Sequence, residues 1–68
     1  MEFKLKEEYI TLQSLLKASG LADSGGAAKI AIVSGEVSVD GEVEIRRGKK
    51  IRAGQSVAFA GQEIKVTA

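Results

Sequence analysis

Phe3 and Leu5 alternate with Glu2, Lys4 and Lys6, a period of two that predicts a short half-buried strand. Beyond Glu7-Glu8-Tyr9 the period lengthens. Thr11 is a good helix N-cap, and Leu12, Leu15 and Leu16 at i, i+3 and i+4 share one helical face. Gly20 suits the left-handed position just past a helix end. This first helix is short, about two turns, so it depends on packing to exist. Leu21-Ala22-Asp23 is a connector and Ser24 a second N-cap. The second helix passes through Ala27-Ala28-Lys29-Ile30-Ala31-Ile32-Val33 and stops at Gly35. Its small side chains let the two helices approach closely.

From Glu36 the period returns to two. Val37 and Val39 face one way, Asp40-Gly41 is a favoured two-residue hairpin turn, and Val43 and Ile45 form the returning strand. Ala53-Gly54-Gln55 makes another turn, after which Val57 and Phe59 alternate with Ser56 and Ala58. Ala60-Gly61-Gln62 turns the chain again, and Ile64 and Val66 close the pattern. The order is β–α–α–β–β–β–β. The expected fold is α+β: two short antiparallel helices packed on a small twisted antiparallel sheet, residues 1–68 forming one domain.

The 68 residues contain no Cys and no His. A domain of this size buries only about 60% of the surface its unfolded chain exposes, and here neither a disulfide nor a zinc site adds to its core. Losing His and Cys also removes the commonest general base and the thiol nucleophile. No catalysis, metal or cofactor is therefore expected. No apolar stretch is long enough to span a bilayer, and Met1-Glu2-Phe3-Lys4-Leu5-Lys6 lacks the apolar core of a signal peptide. A monomeric cytoplasmic protein is the expectation.

Net charge is only +1, but it is sorted along the chain. Arg46, Arg47, Lys49, Lys50 and Arg52 place five cations in seven residues with no acid among them. The remainder carries five Lys against nine Asp and Glu, a net −4. A basic patch on a mildly acidic body reads as a site for phosphates. It also reads as a solvated edge whose cations discourage strand-to-strand association.

Position separates those two readings. Ser24, Ala28, Ala31-Ile32, Gly35-x-Val37-x-Val39-Asp40-Gly41, and later Ile51, Gly54 and Val57 resemble the S-four RNA-binding domain. This is the αL-motif module named for ribosomal small-subunit protein four. The likeness covers roughly residues 10–60 and is greatest to the small stand-alone YbcJ-type members. It implies a non-catalytic module that docks a basic face on structured RNA, ribosomal or transfer RNA, as part of a ribosome or beside an RNA-modifying enzyme. The chain departs from the family pattern at three positions. Gly25 stands where Arg is usual, Asp40 where the turn residue is usually Asn, and Gln55 where Asp is common.

The candidate RNA-binding residues are Lys17, Ser24, Gly25, Lys29, Arg46, Arg47, Lys49, Lys50 and Arg52. Ser24-Gly25-Gly26 leaves first-turn amides bare for an anion, with Lys29 one turn on. The same residues also serve as an N-cap with glycines for close packing. Lys17 complements its helix dipole or joins the RNA face. Glu42 and Glu44 share one side of a strand and read as solvent-facing partners for a neighbouring Arg or Lys. Phe3 and Phe59 are expected in the core, and Tyr9 is assigned to neither core nor surface. The alternative function is a protein-interaction adaptor that docks on a larger ribosome- or RNA-associated partner through the apolar sheet or through Ile30 and Val33.

Overall fold

The computed structural model of the protein describes residues 1–68. Its elements run β1 (Glu2–Lys4), β2 (Ile10–Thr11), α1 (Leu12–Ala18), α2 (Gly25–Val33), β3 (Val37–Val39), β4 (Glu42–Val43), β5 (Lys50–Ile51), β6 (Ser56–Phe59) and β7 (Gln62–Thr67). Both helix starts are built as their caps predict. The Thr11 hydroxyl accepts from the Ser14 amide at 3.3 Å and the Ser24 hydroxyl from the Ala27 amide at 3.1 Å. Gly20 and Gly35 take the left-handed conformation after the two helices, with φ of +83° and +81°.

Five strands form the main sheet in the order β1-β7-β6-β3-β4. The Asp40-Gly41 turn has φ of +51° and +87° and pairs Val39 with Glu42. That register fixes the outward side. Val43 opposes Ser38, so it lies on the face away from Val37 and Val39, and both Val43 and Ile45 are exposed rather than closing the core. Only Glu42–Val43 of the returning segment is strand.

The sheet is mostly antiparallel, as expected, with one parallel pairing at its edge. β1 lies parallel to β7, Phe3 opposite Val66, while the other pairings are antiparallel. The chain ends meet here because both strands carry alternating apolar residues that the same core covers. One correction concerns the segment before α1. Ile10–Thr11 is a strand, paired antiparallel with Lys50–Ile51 as a separate ribbon: Ile10 faces Ile51 and Thr11 faces Lys50.

The core consists of 14 buried residues, all apolar. Leu12, Leu15 and Leu16 from α1 meet Ala28, Ala31 and Ile32 from α2 over Val37, Val57, Ile64 and Val66 of the sheet, with Ile51 from the ribbon. Phe3 and Phe59 are half-buried and pack at its margin. No helix is long and apolar enough to cross a membrane.

Candidate nucleic-acid interface

The basic run leaves the main sheet after β4, forms one strand of the ribbon, and returns at β6. Its backbone is seated on the start of α1. The Leu12 amide donates to the Lys49 carbonyl at 2.8 Å and the Gln13 amide to the Arg47 carbonyl at 3.1 Å. Helix-start amides that lack an intrahelical partner are thus satisfied by the loop. With those carbonyls turned toward the helix and Ile51 fully buried, the run is pinned from both sides.

Gln13 connects this loop to the second helix. Its side-chain amide donates to the Gly25 carbonyl at 2.9 Å while its backbone amide holds Arg47. The start of α2 and the basic run, distant in sequence, are therefore joined through one residue. A Gln in the first turn of a helix carries no signal of that role in the sequence. Lys17 lies one turn along α1 from Gln13, and Lys29 one turn along α2 from Gly25. Both lysines are exposed and neither forms an ion pair. Helix register places them near the joint, with no direct bond to the loop.

The five cations of the run are not equivalent. Arg46 is engaged within its own segment: its Nε and one terminal nitrogen donate to the two Glu44 carboxylate oxygens at 2.9 and 3.0 Å, and its backbone amide donates at 3.0 Å. Glu44 is consequently no solvent-facing partner of a neighbouring strand, its side chain being only 13% exposed. Arg52 donates to Glu8 at 3.0 Å, but both partners are well exposed, and such a pair contributes little. Arg47, Lys49 and Lys50 form no ion pair. Arg46, Lys49, Lys50 and Arg52 line one shallow open depression around Gly48.

Tyr9 enters this face as well. The Lys50 ammonium stands 5.0 Å and the Arg52 guanidinium 5.7 Å from the ring centre. At 39% exposure the ring is at the surface.

Two departures from the family pattern meet in space. The Asp40 carboxylate accepts from the Ser56 amide at 2.9 Å and from the Gln55 side-chain amide at 3.2 Å. Gln55 in turn accepts from the Arg52 amide at 2.8 Å. A charged acceptor at the turn and an amide donor at position 55 are complementary, and together they fix where the run ends. These bonds, from Ser56 first and Gln55 next, lower the Asp40 pKa.

The bonds from Arg46, side chain first and then backbone, hold the Glu44 carboxyl at about 2, well below its ordinary 4.5. The same pair raises Arg46. A carboxyl depressed in the folded state gives stability that is complete above its unfolded value and is lost as pH falls through the folded one. Stability is therefore expected to decline as pH falls from about 4.5 toward about 2. Glu44→Gln should flatten part of that decline, as measured by urea midpoints across the range. Equal acid slopes for the two proteins would contradict the pairing.

The S4 domain family model matches residues 3–67. A protein of Escherichia coli (strain K12) named “Putative RNA-binding protein YbcJ” is 51% identical over 63 residues, covering 93% of this chain and 90% of that one. The “Probable ribosome maturation protein RlbA” of Bacillus subtilis (strain 168) is 41% identical over 54 residues, covering 79% of this chain and 76% of that one. The solution structure of the E. coli YbcJ protein, described as revealing an αL motif involved in RNA binding, superposes with a TM-score of 0.76. It shares 50% identity and covers 98% of this chain and 86% of its own.

Proposed function

The chain belongs to the S4 domain family, and from that premise we propose that it is an RNA-binding module which docks one basic face on structured RNA. The observation that carries this reading is the seating of the basic run. Loop carbonyls are bonded to the start of α1, and on that support Arg47, Lys49 and Lys50 form no ion pair with a carboxylate. Phosphate contacts of this kind position a partner without reading its bases, so recognition is by shape and phosphate spacing. Arg47, Lys49, Lys50 and Arg52 supply the field. Arg46 shapes the loop through Glu44 and adds less, and Lys17 and Lys29 extend the face across the helix joint.

Gly25 fits this arrangement in place of the usual Arg. A Cβ there would stand 3.3 Å from the Gln13 side-chain nitrogen, the atom that joins the two segments. Docking at Ser24 and Gly25 is accordingly through backbone and Lys29, and the loop carries most of the affinity. Ribosomal RNA is the favoured partner over transfer RNA, since the Bacillus relative's name concerns ribosome maturation. The module works as a single domain, as a monomer and without catalysis of its own, in the cytoplasm.

Crosslinking the protein to RNA in cells and sequencing the bound fragments tests this directly. Enrichment of structured ribosomal segments is expected. Ile30 and Val33 are largely exposed, so a protein adaptor is the other outcome to watch. Partners retained after nuclease treatment, with no enriched RNA, would establish that alternative instead.

A further inference from the structure

Tyr9 differs from the other two aromatic residues. Phe3 and Phe59 pack against the core, whereas the Tyr9 ring lies at the surface inside the basic face. The reason is the ribbon register. Ile10 faces Ile51 and Thr11 faces Lys50, so with period-two alternation Ile10 and Ile51 turn inward. Tyr9, Thr11, Lys50 and Arg52 then share the outer side. Lys50 and Arg52 converge on the one ring, at 5.0 and 5.7 Å from its centre.

We propose that Tyr9 is the stacking platform for one unpaired nucleobase of the bound RNA, with Lys50 and Arg52 taking the phosphates on either side of that nucleotide. This rests on the RNA-binding reading and adds to it a preference for a single-stranded or splayed-out position in the RNA. An exposed ring held among cations supplies both elements of single-strand recognition, an aromatic face for the base and charge for the backbone. The Arg52–Glu8 pair does not block it. Both side chains are half or more exposed, so the guanidinium can exchange its carboxylate for a phosphate. Lys50 has no carboxylate to release.

The chain has one Tyr and no Trp, so its tyrosine emission reports on this ring alone. The probes are an oligouridylate strand and the same strand annealed to oligoadenylate. Stacking predicts quenching of Tyr9 emission by the strand and little quenching by the duplex. Tyr9→Leu should lower affinity for the strand by about one to two orders of magnitude, and the loss should fall less heavily on the duplex. Tyr9→Phe, which keeps the ring, should retain strand affinity within about threefold, because stacking uses the π-face rather than the hydroxyl. Strand binding with unchanged emission, or a Tyr9→Leu protein that binds the strand as well as wild type, would overturn the platform. Salt-dependent duplex binding by wild type would in that case leave the phosphate-docking reading standing. Failure to bind either probe would remove both.

Discussion

Ile51→Ala is expected to bring the protein close to unfolding. Ile51 is fully buried, packs with the α1 leucines and faces Ile10 across the ribbon. Truncating a buried Ile to Ala typically costs about 2–5 kcal/mol through lost burial and the cavity left behind. A domain of 68 residues has a total stability of roughly 3–10 kcal/mol. No disulfide exists to limit the damage. The urea midpoint should fall by about half or more at neutral pH, while Ile51→Val should cost only about 0.5–1.5 kcal/mol. The consequence is functional too, because Ile51 is the apolar anchor inside the basic run, directly between Lys50 and Arg52. A midpoint unchanged in Ile51→Ala would mean that the run is not seated on the core.

Reversing Arg47 and Lys50 together to Glu should have the largest effect on RNA binding with the least on stability. Both side chains are exposed and neither has a carboxylate partner, so the fold loses little. Each charged hydrogen bond lost is worth about 1.5–3 kcal/mol, so the double change should weaken binding by about a hundredfold or more. Anisotropy titrations with a structured RNA hairpin measure this. Arg46→Gln offers the contrast. Its guanidinium is already committed to Glu44, so its affinity loss should be the smaller. An Arg46→Gln effect larger than the double reversal would contradict the division of roles within the loop.

Features built from neighbours in sequence were legible from the chain alone. Thr11 and Ser24 cap their helices, Gly20 and Gly35 end them, and Asp40-Gly41 turns the hairpin, each by chemistry local to a few residues. The parallel pairing of β1 with β7 was not legible. It joins segments about sixty residues apart, and alternation reports a strand's buried face but not its partner. The two-residue β2 strand is too short to establish a period, so the ribbon and the outward placement of Tyr9 were also hidden. Alternation alone does not say which face Val43 and Ile45 take, because the register of the turn decides it. A two-residue turn after Val39 sends Glu42 to its side and Val43 to the other. In the candidate interface, composition located the basic run but could not rank its cations. The ranking depends on Glu44 being folded beneath Arg46 and on Gln13 bridging Arg47 to Gly25, and both depend on three-dimensional placement.

The most direct test of a phosphate-docking face is the salt dependence of affinity for a structured RNA hairpin. Engagement of about four or five phosphates predicts that log K falls with log salt at a slope of roughly −3 to −4. A slope near zero, with affinity retained at high salt, would contradict the account.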